Sequence, residues 1–268
     1  MAKTGDVDEV VAQPVVAAPA PSRERPGLEV LAVLGVSFGM SGIYALLSLI
    51  RTEITVQGGV GAAQVTVATG GQSHYEWLDL LDSLADLLHG ILPAFLAVVL
   101  LVRFPGGPGC GIGLDRLRER DVLRGVGLFL LIGIPGLALV YVAHRAGVNA
   151  QIVASNFPDV WYRIPVLLLD AFQNGAAEEI VVLAFVLTRL RQLGWSTERA
   201  IAAESVLRGS YHLYQGLGGF VGNAVMGAIF GYLFTRTRRV WPFVVAHFLL
   251  DAASFIGYIY LKPHVRWL

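Results

Sequence analysis

The chain is predicted to be an all-α, polytopic transmembrane helical bundle of about seven spans, the fifth also readable as re-entrant, with a cytoplasmic N-terminus. Three observations carry this. Of 268 residues, 55% are hydrophobic and 15% charged, against about 25% charged in an ordinary soluble domain. The apolar residues gather into runs of roughly 20, enough to cross ~30 Å of hydrocarbon at ~1.5 Å per residue. The basic residues also fall on alternate connections. One side collects Lys3, Arg23 and Arg25; Arg103, Arg116, Arg118, Arg120 and Arg124; Arg189, Arg191 and Arg199; and Arg236, Arg238 and Arg239. The other holds Arg51, Arg145, Arg163, Lys262 and Arg266. Such an excess marks the cytoplasmic side. Net charge is zero and the single cysteine is Cys110, so neither a nucleic-acid partner nor an internal disulfide is indicated.

Residues 1–26, rich in Ala, Val and Pro, read as a disordered tail. Residues 27–160 read as N-terminal transmembrane helices. The first span runs from Leu28 to Ile50, and the Gly-, Thr- and Val-containing stretch 51–76 reads as an outer loop with weak strand character. The second helix starts near Trp77 and ends near Phe104. Asp79, Asp82, Asp86 and His89 share one of its faces, read as a solvated face. The breaker cluster 105–109 and a charged interfacial segment, 114–121, lead to the third span, Val122–Val142. A loop over 143–159 follows.

Residues 161–261 read as a transmembrane core that carries the candidate site, followed by a tail, 262–268. The fourth span ends at Arg189 and Arg191 and carries adjacent glutamates, Glu178 and Glu179. The fifth segment, about Glu198–Gln215, places Glu204, Arg208 and His212 at i, i+4 and i+8. The sixth, Phe220–Phe234, follows Gly218 with Gly222, Gly227 and Gly231, spacings that let backbones approach closely. The seventh, Pro242–Leu261, carries His247 and Asp251 at i, i+4.

Carboxylates inside a bilayer are costly, by roughly 2.5–3.5 kcal/mol on insertion scales, so Glu178 and Glu179 require partners. At ~1.5 Å per residue, Glu179 lies ~15 Å from Arg189, His247 ~12 Å from Arg239 and His212 ~20 Å from Arg199. These depths permit one intramembrane cavity, expected to open toward the cytoplasmic side. Glu178, His212 and His247 could hold a divalent metal, zinc first. Alternatively a glutamate takes a proton from water while the histidines polarise a carbonyl, with no metal. Either route ends in hydrolysis. Bland alternatives are interhelical hydrogen bonds by the histidines and a buried ion pair with Arg208.

The order Glu178-Glu179, His212, His247-x-x-x-Asp251 resembles the CPBP family of intramembrane proteases, related to the CAAX prenyl endopeptidases and also called the Abi family. The stretch Leu207-Arg-Gly-Ser-Tyr-His-Leu-Tyr-Gln-Gly216 resembles its second motif. The resemblance implies a multi-pass cell-membrane endopeptidase acting on a membrane-associated or prenylated-type protein. It makes Glu178 the activator of water, Glu179 its supporting partner, and His212, His247 and Asp251 the remaining catalytic set. Two positions depart from the pattern. Leu183 stands where an arginine is expected, and Arg208 where phenylalanine is usual. Arg208 is therefore expected to replace the missing cation beside the glutamates. A non-catalytic scaffold or immunity-type factor is the alternative, and a proton-coupled transporter a further one.

Overall fold

The computed structural model describes residues 24–71, 73–102 and 111–265. Most of the expected N-terminal tail, the breaker cluster 105–109, Cys110 and residues 266–268 lie outside the described residues. The chain is mostly helical. The elements are α1 (Glu24–Gly35), α2 (Phe38–Thr55), β1 (Gln64–Ala68), α3 (Glu76–Val102), α4 (Glu119–Arg145), β2 (Gln151–Ser155), α5 (Arg163–Glu178), a π-helical segment (Glu179–Val186), α6 (Leu187–Gln192), α7 (Thr197–Ser210), α8 (Leu217–Thr237) and α9 (Trp241–Leu261).

Among the described residues, α3, α4, α8 and α9 are each long and apolar enough to cross a membrane, and the α1–α2 pair makes a fifth if taken as one span. Seven spans are not reached by this measure, for two local reasons. α7 has 14 residues, about 21 Å at ~1.5 Å per residue, too short for a ~30 Å core. The continuous rod α5–π–α6 carries Asp170, Glu178 and Glu179 and is divided by its π-helical segment.

The expected first span is not one straight helix. α1 and α2 meet at 48°. Ser37, between them, turns its hydroxyl back to the Val33 carbonyl at 2.6 Å, a side-chain bond that competes with helix continuation. The stretch 51–76 does contain a strand, but its partner β2 lies in what reads from sequence as a plain loop. The two pair in parallel, Gln64 with Gln151 through Ala68 with Ser155. The face Asp79–Asp82–Asp86–His89 is also split. Asp82, Asp86 and His89 are exposed, but Asp79 is buried and accepts a hydrogen bond from Tyr162 Oη at 2.9 Å.

The π-helical segment is the axis of the core. Its residues from Ile180 to Val186 are all buried, against Ala94, Ala97 and Leu101 of α3, Phe230 and Phe234 of α8, and Phe243 and Val244 of α9. A helix apolar all round belongs in such a place. α3 and α4 instead leave most of their apolar surface outward, as lipid-facing helices do. The glycines of α8 serve two contacts. A β-carbon on Gly227 would lie 3.0 Å from Ser205 Cα and 3.1 Å from Glu204 Oε2, while one on Gly218 would lie 2.6 Å from Ala143. α8 is thereby held against both α7 and the end of α4.

At the arginine-rich end, Arg239 grips Asp121 through two nitrogens, at 2.6 and 2.9 Å, and Asp115 at 2.7 Å. Trp241 Nε1 donates to the Asp115 carbonyl. Gly113 (φ +64) is required here, since a β-carbon would lie 2.7 Å from Arg239 Cα. The Arg239 and Arg118 guanidiniums hold the Asp115 carboxyl below its ordinary range. What this clamp contributes is present above the ordinary carboxylate pKa and is lost as pH falls through the lowered value.

Candidate active site

Glu178 closes α5 and Glu179 opens the π-helical segment. Such i→i+5 turns are uncommon and recur at functional sites. Here the segment delivers two adjacent carboxylates to the bundle interior. Glu179 is fully buried and Glu178 8% exposed.

Arg208, fully buried on α7, fills the space between them. Its guanidinium takes Glu179 as a fork, NH1 to Oε1 at 2.8 Å and NH2 to Oε2 at 3.0 Å. NH1 also reaches Glu178 Oε2 at 3.4 Å, and Nε reaches Glu204 Oε1 at 3.1 Å. Bidentate arginine–carboxylate pairs are among the strongest polar contacts proteins make. The sequence pairing of Arg208 with the glutamates is thus present, with Glu204 as an additional carboxylate. Leu183, where a cation is missing, is fully buried in the apolar core.

His247, on α9, comes to Glu179 Oε1 with its Nδ1 at 2.7 Å. A carboxylate only accepts, so Nδ1 carries the proton. Nε2 lies 3.8 Å from Asp251 Oδ2, near enough for attraction and too far for a hydrogen bond. Close helix packing allows this approach: a β-carbon on Gly175 of α5 would lie 3.0 Å from Phe248 N and 3.3 Å from His247 Cβ.

His212 is placed differently from the sequence expectation. α7 ends at Ser210, so His212 is not the third member of a helical stripe but lies in the turn beyond it. Its Nδ1 is 3.0 Å from the Arg208 carbonyl, which fixes the proton there and leaves Nε2 as an acceptor when the ring is neutral. It is an electrostatic neighbour of both Glu178 and His247.

Two contributors were missed in the sequence. Tyr211 donates its hydroxyl to Glu178 Oε2 at 2.7 Å and is sandwiched between the rings of Phe38 and His212, at 5.0 and 4.8 Å. It stands next to His212 in the quoted motif, but nothing in its spacing marks it. Glu204 was visible as the i−4 neighbour of Arg208, without a role.

The contacts divide the two glutamates by task. Both oxygens of Glu179 are engaged. Glu178 is held at Oε2 by Tyr211 and Arg208, and among the described residues no side chain hydrogen-bonds Oε1.

Glu178, Glu179 and His247 each offer a donor atom, all within 4.8 Å of one another. His212 is not in that group, which differs from the expected metal set Glu178–His212–His247 in having Glu179 in its place. The set does not fit a divalent ion. Glu179 and His247 Nδ1 are committed to each other, Glu179 is also committed to Arg208, and the guanidinium already supplies the positive charge. A unit of like charge at ~4 Å from it adds roughly 4 kcal/mol of repulsion at an effective dielectric of 20.

Fold and site together give a mostly helical chain with four or five candidate membrane spans and a buried carboxylate–histidine cluster among the described residues. Residues 160–253 match the family model described as Type II CAAX prenyl endopeptidase Rce1-like, which supports the CPBP/CAAX protease resemblance. No curated protein and no solved structure matches the chain.

Proposed function

We propose that the chain is an intramembrane endopeptidase in which Glu178 activates the hydrolytic water without a metal. The observation that carries this is the asymmetry of the pair: Glu179 is saturated by Arg208 and His247, while Glu178 keeps one oxygen available. In the proposed reaction Glu178 Oε1 takes a proton from water, with His212 Nε2 as a second acceptor that orients it. The hydroxide oxygen bonds to the scissile carbonyl carbon, and the carbonyl electron pair moves onto oxygen. His247, flanked by the Glu179 and Asp251 carboxylates, can carry a second proton, and its Nε2–H then donates to that oxyanion. Collapse breaks the C–N bond, and the proton on Glu178 passes to the leaving amine. Glu179 and Arg208 hold the frame.

The substrate class we propose is a membrane-associated protein with a prenylated CAAX-type C-terminus. We take the arginine-rich end as cytoplasmic. For the path of water we favour the Asp251 side over the arginine-rich end. Asp251 is the most exposed of the acidic side chains around His247, at 26%, and it neighbours Asp170, which in turn neighbours Asp86.

The test is proteoliposomes carrying the full chain, given a farnesylated CAAX peptide, with the released tripeptide followed by mass spectrometry. Release by the wild type is expected to persist with 1,10-phenanthroline or EDTA present. Loss of release in the chelators, restored by zinc, would overturn the metal-free mechanism. No cleavage of this or any other membrane-anchored peptide would favour a non-catalytic member of the fold. Tyr211→Phe is expected to lower kcat about 10-fold with KM little changed, since one hydrogen bond to a charged group is worth ~1.5–3 kcal/mol.

A further inference from the structure

A second polar feature lies at the arginine-rich end of the bundle. It is a recess of about 370 Å³ lined by Thr188, Arg191, Gln192, Thr197, Thr235 and Arg238. No acidic side chain is among these. Two bring guanidiniums, three bring hydroxyls and one an amide. Thr188 is 2% exposed, and its Oγ1 is buried with no hydrogen-bond partner; the nearby Thr237 Oγ1 is left in the same condition. Buried hydroxyls without partners are uncommon and ask for an explanation.

The backbone at Arg238 points the same way. It caps α8 in the left-handed region (φ 52, ψ 32) and is the only non-glycine residue with positive φ among those described. This is the position where helices ordinarily end on glycine, because a β-carbon is strained there. Keeping a strained arginine is a cost that a role for its side chain would explain. Arg238 is exposed and makes no ion pair among the described residues. Arg191 donates to the Trp195 carbonyl.

Thr197 begins α7, a helix of 14 residues whose N-cap Ser196 accepts from Arg199 N. Its remaining first-turn amides lie at the positive end of the helix dipole. The adjacent acid, Glu198, is turned to its own backbone amide and to Ser196, with Arg191 as a charged neighbour.

We infer that this recess binds a phosphate group. Two guanidiniums suit paired phosphate oxygens, and the hydroxyls of Thr188 and Thr197 offer donors on other sides, while the Thr235 hydroxyl donates to the Tyr232 carbonyl. The recess lies at the end of the spans, where lipid headgroups stand. A phospholipid headgroup and soluble phosphate present the same chemistry, and the experiment separates them. The inference does not depend on the proposed proteolysis.

The test is native mass spectrometry and thermal unfolding of the full chain in a non-ionic detergent, with dioctanoyl phosphatidylglycerol in one arm and inorganic phosphate in the other. At least one probe is expected to bind the wild type and raise its unfolding midpoint. The pair Arg191→Gln/Arg238→Gln should weaken that binding by about 10-fold or more, and Thr188→Val should also weaken it. The exposed pair Arg116→Gln/Arg120→Gln should stay within about 2-fold of the wild type. Binding of the lipid alone assigns the site to a headgroup; binding of both assigns it to the phosphate group itself. Arg238→Gly separates binding from folding. It should raise the midpoint of the unliganded protein, by relieving the left-handed strain, while reducing the ligand-induced rise. The inference is overturned if neither probe binds, if the recess variants respond as the wild type does, or if the Arg116/Arg120 control loses as much as they do.

Discussion

Replacing Arg208 with methionine is expected to destabilise the folded protein by about 3–5 kcal/mol, the cost of removing one partner from a buried ion pair. The reason is specific to this site. Glu179 and Glu204 are fully buried, Glu178 nearly so, and every guanidinium contact described above goes to one of them. Without the cation, three carboxylates share one apolar pocket under Phe230, whose ring lies 5.9 Å from the guanidinium carbon. Methionine fills most of the volume, so the loss reads charge rather than cavity. The check is the unfolding midpoint of the detergent-solubilised chain. Adding Glu204→Gln to Arg208→Met should recover part of the loss, because one of the stranded charges is gone. Glu204→Gln alone should be far milder than Arg208→Met, since Glu179 keeps its fork. Additive effects of the two changes would show that Glu204 and Arg208 do not act as a unit.

The difference between what the sequence reveals and what only the structure reveals follows from range. Glu178, Glu179, Arg208, His247 and Asp251 stand out because a charge in an apolar run needs a partner, and a partner at matching depth can be sought by counting residues. The long helices are legible for the same reason of local pattern. The β1–β2 pairing is not, because it joins segments 87 positions apart, Gln64 to Gln151, and β2, Gln-Ile-Val-Ala-Ser, does not alternate. The π-helical segment is hidden as well: Ile-Val-Val-Leu-Ala-Phe-Val is apolar whichever way it winds. That winding matters for Leu183. In an α-helix a residue four beyond Glu179 would sit above it, whereas i→i+5 turns shift the phase. The cation is supplied from α7 instead, across the helix interface. The position of His212 differs because Glu204, Arg208 and His212 keep helical spacing in the sequence while α7 itself ends at Ser210. Tyr211 was missed because a tyrosine in an apolar run draws no attention until its hydroxyl is seen on Glu178.

Glu178→Gln is expected to lower kcat by about 10³-fold or more while leaving the unfolding free energy within about 1 kcal/mol of the wild type. Glutamine keeps the shape of the side chain and an oxygen that can still accept from Tyr211, but it cannot take a proton from water. Glu179→Gln should behave oppositely. It weakens the fork to Arg208 and the contact to His247 Nδ1, at 2.8 and 2.7 Å, so stability falls first and activity with it. The contrast separates a base from a support, which a loss of activity in either variant alone does not. His247→Ala should resemble Glu178→Gln in kcat, since it removes the donor proposed for the oxyanion, and residual activity should not return on adding zinc. The measurements are tripeptide release from a farnesylated CAAX peptide and thermal unfolding on the same preparations. If Glu178→Gln retained wild-type kcat while Glu179→Gln abolished turnover without loss of stability, the roles assigned to the two glutamates would be reversed, and the available oxygen on Glu178 would have another use.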